Sequence, residues 1–146
     1  MHADNWVANV CPDNGPAIDA ADNEVVVAWW TRAGSQPKVQ LAFSSDDGNT
    51  FADPIRVDAG KGEGQVTVTL LPTRKAAVVG WLEDGNTWAR YVDQFGRSSQ
   101  PEVLGASPHH SRLPHWVLSD PQHVTAVWTS GTREKPHVEV AELRLR

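Results

Sequence analysis

Three pentapeptides in this chain read as copies of one another: Val27-Ala28-Trp29-Trp30-Thr31, Val79-Gly80-Trp81-Leu82-Glu83 and Ala126-Val127-Trp128-Thr129-Ser130. Their tryptophans, Trp29, Trp81 and Trp128, stand 52 and 47 positions apart. Self-similarity at a period of ~50 residues constrains the fold strongly, because a unit of that size stacks on its neighbours to build a continuous core. Each copy follows a shorter apolar stretch, at Pro16 to Ile18, Val66 to Leu71 and Leu113 to Leu118. Each precedes another, at Lys38 to Ser44, Trp88 to Val92 and His137 to Leu145. The first two copies then share an ending, Phe51 to Val57 and Ser99 to Leu104.

The periodicity inside these stretches is that of strands. Glu24 to Thr31 is apolar on both faces, as in a strand covered from two sides. Val39, Leu41 and Phe43 alternate with Lys38, Gln40 and Ser44, and Val66, Val68 and Leu70 alternate with Thr67 and Thr69, the pattern of half-buried strands. In the last stretch Val138 and Val140 are even-numbered while Leu143 and Leu145 are odd, so a β-bulge or break around Ala141-Glu142 is expected. Ten Pro and eleven Gly punctuate the chain and leave no room for long helices. Seven Trp in a β context point to stacked sheets sharing a core. The unit is therefore about four strands in ~50 residues, the period of a propeller blade. The expected fold is all-β, a single domain over 1–146 made of about three four-stranded antiparallel blades, spanning roughly 12–58, 63–105 and 111–146. The last blade lacks a fourth strand, so the whole is a partial propeller whose sheet edges and one apolar face need covering.

Charge and composition exclude several functions. The net charge of −5 argues against a general phosphate-binding surface, and so against nucleic acid as a partner. The one cysteine, Cys11, has no partner for an internal disulfide or a zinc site and reads as a small loop residue beside Pro12. No apolar run reaches the ~18 residues of a membrane helix. Met1 to Trp6 has no basic stretch followed by an apolar one, so no signal peptide is expected there. The compartment is otherwise unread.

Ser44-Ser45-Asp46-Asp47-Gly48-Asn49-Thr50-Phe51 fits the pattern Ser-x-Asp-x-Gly-x-Thr-aromatic. In such a turn an Asp side chain accepts backbone N–H groups, Gly permits positive φ, and the aromatic anchors the hairpin. Asp84-Gly85-Asn86-Thr87-Trp88 echoes it, but Gly85 lies too close to Trp81 for the same place in the repeat. Asp84-Gly85 is instead expected to be a two-residue hairpin turn. The second unit's counterpart is the degraded turn Asp93-Gln94-Phe95-Gly96. The Ser44–Phe51 pattern resembles the Asp box of sialidase-type (BNR) repeats, and His2 to Trp6 followed by Cys11 to Pro16 is similar to a blade-linking segment of bacterial sialidase-like proteins. The resemblance implies the C-terminal half of a six-bladed propeller, relatives that tend to be exported, and an Asp box (Ser44, Asp46, Gly48, Thr50, Phe51) that is a structural turn away from the central ligand site.

That resemblance brings no complete catalytic set. A sialidase needs an arginine cluster, a tyrosine nucleophile with a partner carboxylate and an aspartic acid for proton transfer. Here Tyr91, the sole tyrosine, falls in the strand-like Trp88-Ala89-Arg90-Tyr91-Val92 and reads as structural. Ser111 has no nucleophile-elbow neighbourhood. His109, His110 and His115 form the one histidine cluster, in a stretch that Pro108 and Pro114 mark as a loop, and have no metal-ligand spacing. Asp13, Asn14 and Arg112, just ahead of the first strands of two units, are the candidate contacts for a polar ligand such as a glycan. The expected function is thus a non-catalytic, sialidase-like binding or assembly module without cofactor, in which two copies pair as half-propellers. The rival readings are an exo-sialidase-like glycoside hydrolase completed by assembly, and an inactive fragment.

Overall fold

The computed structural model of the chain describes residues 4–7, 15–106, 114–120, 122–132 and 134–145. Among these, eleven strands follow one another: β1 (Ala17–Ala21), β2 (Glu24–Thr31), β3 (Lys38–Ser44), β4 (Ile55–Arg56), β5 (Gly64–Leu71), β6 (Ala76–Glu83), β7 (Asn86–Asp93), β8 (Glu102–Ala106), β9 (His115–Asp120), β10 (His123–Gly131) and β11 (Pro136–Arg144). They form three antiparallel sheets, β1-β2-β3-β4, β5-β6-β7-β8 and β9-β10-β11. Each is a meander whose sequence neighbours pair in space, the simplest consequence of short turns between strand-like runs. The all-β expectation holds, and the three sheets of four, four and three strands follow the three sequence repeats.

Turn chemistry sets the hairpins. Glu83 pairs with Asn86 across Asp84-Gly85, and these two residues have φ of 48° and 70°. Positive φ at both central positions gives the turn a twist that matches the strands it joins. Asp22-Asn23 closes β1 onto β2 in the same two-residue fashion, Ala21 facing Glu24.

The second sheet lies between the other two. Ala77, Val79 and Trp81 of β6 join Val26 and Ala28 of β2 and Leu41 of β3 in one buried cluster. Ala76 and Val78, on the opposite face of β6, join Val124 of β10 and Leu145 in another. Both faces are covered, which is why Ala76 to Leu82 shows no apolar–polar alternation. β10 is covered on one side, and its burial alternates residue by residue, with Val124, Ala126 and Trp128 inside. β3 is more enclosed than its alternation suggests, since Ala42 and Ser44 are buried along with Val39, Leu41 and Phe43.

Two glycines allow the second and third sheets to approach. A Cβ on Gly80 would stand 2.6 Å from Cζ2 of Trp116, and one on Gly105 would stand 3.0 Å from Cζ2 of Trp128. Each indole therefore rests where a side chain is missing, a close approach that only glycine permits.

The bulge expected around Ala141-Glu142 is not formed. β10 and β11 pair in unbroken register from His123 opposite Arg144 to Gly131 opposite Pro136. Leu143 faces the core, whereas Val138 and Val140 are 66% and 64% exposed. The phase slip in the sequence arises because these valines lie on the outer face of the third sheet. Reading every apolar strand residue as buried was the error, since an exposed aliphatic side chain is ordinary.

Candidate functional site

Strands that alternate in direction put their connections on two rims. One rim carries the β1–β2, β3–β4, β5–β6 and β7–β8 connections, the other the β2–β3, β4–β5, β6–β7 and β10–β11 connections.

The first rim holds the Ser44–Phe51 turn, and its residues take the roles their types predict. Asp46 Oδ1 accepts the backbone N–H of Thr50 at 2.8 Å and the hydroxyl of Ser44 at 2.7 Å. Asp46 Oδ2 accepts the Thr50 hydroxyl at 2.6 Å, and Ser44 Oγ accepts the N–H of Gly48 at 3.0 Å. Asp47 and Gly48, at φ of 60° and 79°, reverse the chain. The donors converge on one half-buried carboxylate and hold its pKa down at about 2, the Thr50 hydroxyl contributing most, then the Thr50 N–H and the Ser44 hydroxyl. Phe51 is half-buried, its ring 3.9 Å from where a Gly48 Cβ would stand.

The turn after β7 is built on the same plan with fewer parts. Asp93 Oδ1 accepts the N–H groups of Phe95 and Arg97, each at 2.9 Å. Asp93 Oδ2 takes the Arg97 Nε–H at 2.6 Å, in the place of a Thr hydroxyl. Gly96 supplies the positive φ of 83°. In both turns a carboxylate caps the residue four positions on, so the expected equivalence of the two is a shared hydrogen-bond pattern. Burial raises the Asp93 pKa, but the bonds from Arg97 and Phe95 outweigh it and the net direction is down. Between this turn and the end of β11 runs an open groove of about 610 Å³, bordered by Tyr91, Arg97, Glu102 and Arg144. Tyr91, the one tyrosine, sits half-buried on β7 against the cluster shared with the third sheet.

The second rim is organised by two buried carboxylates that the sequence did not single out. Glu83 accepts the N–H of Lys61 at 2.8 Å and of Ala59 at 2.9 Å, and the indole N–H of Trp81 at 2.7 Å. Asp58 accepts the N–H of Val39 and of Gly60 at 2.8 and 2.9 Å. Arg56 binds it in a fork, Nε at 3.0 Å and a terminal nitrogen at 2.8 Å. Burial raises the Asp58 pKa, and the Arg56 fork with the Val39 N–H more than reverses that. Glu83 fixes the 57–63 connection to the second sheet and Asp58 fixes it to β3 and β4 of the first, which makes both carboxylates tethers. Trp30 adds a third tie, donating its indole N–H to Gly62 O at 2.7 Å.

Trp6 stands edge-on to Trp30, ring centroids 5.4 Å apart at 89°. A shallow groove of about 420 Å³ opens beside it, with Asn5, Arg32 and Ser35 on its walls. An aromatic edge, a guanidinium, an amide and a hydroxyl around one depression suit a hydroxylated polar ligand.

The ligand contacts chosen from sequence, Asp13, Asn14 and Arg112, lie outside the described residues, as do Cys11, His109, His110 and Ser111. His115 is described and stands exposed at the start of β9. The second-rim tethers had one faint sequence signal, an acid closing each apolar run at Val57-Asp58 and Trp81-Leu82-Glu83.

In sequence comparison the chain matches no protein-family model and no curated protein.

Proposed function

We propose that the three sheets are blades of a sialidase-like β-propeller and that the chain is a non-catalytic binding or assembly module in which two copies close on one another. The observation that carries this reading is the direction of one repeated side chain. Trp29, Trp81 and Trp128 are each the sixth residue of their strands. Trp81 packs into the cluster shared with the preceding sheet, and Trp128 rests on Gly105 of the preceding sheet. By strand alternation Trp29 faces the other way from Val26 and Ala28, which meet the second sheet, so with Val25 and Val27 it points where a preceding sheet would stand.

At the opposite end the third sheet turns Val117, Val138 and Val140 outward. The two end faces correspond to the two kinds of face that meet between the internal sheets. Joining the end faces of two copies, head to tail at both ends, makes six sheets around a closed ring, within the usual range of propellers. A ring of this kind buries Val117, Val138 and Val140, an apolar face that a single copy leaves in water. The polar ligand, a glycan or a similar hydroxylated molecule, is assigned to the second rim, where Trp6, Arg32 and Asn5 border a groove.

Light scattering coupled to gel filtration tests the pairing. A sharp species at twice 16.0 kDa that Val117→Lys, at an exposed position of the third sheet's outer face, converts to a folded monomer supports it. A sharp, well-folded monomer at all concentrations overturns it.

A further inference from the structure

The three sheets differ in one respect: the first two end in a fourth strand, and among the described residues nothing pairs with the outer edge of β11. The internal repeat says what that edge is shaped to receive. Aligned on the residue paired with each repeat tryptophan (Gln40 opposite Trp29, Trp88 opposite Trp81, Glu139 opposite Trp128), Glu139 and Val140 occupy the positions of Trp88 and Ala89 in β7 and of Gln40 and Leu41 in β3. Those are the residues that take the fourth strand. Gln40 and Leu41 pair with Arg56 and Ile55 of β4, and Trp88 and Ala89 pair with Val103 and Glu102 of β8. Both fourth strands are antiparallel, short and entered from a proline, Pro54 and Pro101.

We infer that the β11 edge is a strand-addition site that takes an antiparallel extended peptide led by a proline and followed by one aliphatic and one charged residue in either order, the first of them paired with Val140 and the second with Glu139. Backbone N–H and C=O groups along an open edge supply the affinity in this mode of recognition, and alternate side chains supply selectivity. The edge carries the residues such docking needs. Val138 and Val140 are exposed aliphatic side chains on one face of the strand. Glu139 lies on the other face, held by His137 Nε2 at 3.0 Å and close to Gly105. The exposed valines recur at the spacing of one strand face, and no lysine or proline interrupts Val138 to Val140 to blunt the edge. The inference does not depend on the sheets belonging to a propeller.

The test uses the full chain with the segment Ser99 to Ala106 copied after Arg146 on a flexible Gly-Ser linker, which raises the local strand concentration to the order of millimolar. Amide hydrogen exchange is read across His137 to Glu142 in samples whose mass is that of one chain. We expect exchange to slow at least tenfold there relative to the protein without the tail, and relative to a tail carrying Val103→Pro and Leu104→Pro in the copied segment. Equal rates with either tail overturn the inference. So does strong protection of these amides in the tail-free monomer, because the edge would then already be closed. A tail-dependent slowing in a protein that never dimerises keeps this site while removing the pairing proposed above.

Discussion

Glu83 accepts the indole N–H of Trp81 at 2.7 Å across the buried face of β6, and the same carboxylate holds the backbone N–H groups of Ala59 and Lys61. One side chain thus joins the repeat tryptophan of the second sheet to the connection arriving from the first. Replacing Glu83 with Gln keeps the size but turns one oxygen into a donor facing other donors. Glu83→Gln is expected to destabilise by about 2 kcal/mol, in the range for hydrogen bonds to a buried charge. Urea unfolding checks it, with Glu83→Asp as a companion that retains the charge and shortens the reach. A loss under a few tenths of a kcal/mol would mean the 57–63 connection does not need the tether.

The Asp46 carboxyl titrates at about 2, below the ordinary 3.8, because its donors favour the charged form. A depressed folded-state pKa contributes stability that is present above the ordinary value and disappears as the pH falls through the depressed one. The first-rim turn should therefore hold at pH 5 and loosen between about pH 4 and 2. Thr50→Val removes the strongest donor and should move the Asp46 midpoint up toward 3.8. Carbon-detected NMR titration of the Asp46 carboxyl reads this directly, and an unmoved midpoint would refute the assignment of Thr50 as the main cause.

Asp58 should respond to the loss of Arg56 in the same direction for a different reason. Burial alone pushes its pKa up, and the Arg56 fork reverses that. In Arg56→Leu the burial is left less opposed, so the carboxyl protonates at higher pH than in the parent. The acid limb of the stability curve, where protection by Asp58 is lost as the pH falls, is expected to shift upward. Thermal melts from pH 3 to 7 for both proteins make the comparison, and coincident limbs would show that Val39 and Gly60 suffice to hold the charge.

Gly80 and Trp116 are in contact through an absent side chain. Gly80→Val places atoms inside the van der Waals distance of the indole and should destabilise by about 1–3 kcal/mol through overpacking. Gly80→Val combined with Trp116→Ala is expected to recover much of that loss, since the obstructing ring is gone. Denaturant midpoints of Gly80→Val, Trp116→Ala and the double variant test the coupling, and additive effects would place Trp116 elsewhere in solution.

The β6–β7 turn offers a purely local test. Gly85 has φ of 70° and open space around it, so Gly85→Ala meets only the backbone penalty of a left-handed residue, about 1 kcal/mol or more. Gly85→Asn, which tolerates that conformation better, should lose less. Equal losses would indicate a turn of another type.

Much of this architecture was legible because the signals that specify it are local. Alternation in Val66 to Leu70 and the two-sided apolar run of Glu24 to Thr31 follow from which faces of a strand meet water. The turns at Asp84-Gly85 and Ser44–Phe51 follow from φ preferences and from hydrogen bonds spanning a few residues. The same is true of the degraded turn at Asp93, whose carboxylate still caps the residue four positions on.

Strand content, the three-unit repeat and the chemistry of the turns are all readable along the chain, since each depends on residues close together in it. Only the packing of the sheets sets that Val138 and Val140 face outward, that Gly80 and Gly105 receive two indoles, and that Asp58 and Glu83 bind partners nineteen and twenty-four positions away. Burial and hydrogen-bond partnership at those sites are set by which sheet lies opposite, and no pattern within a single strand contains that information.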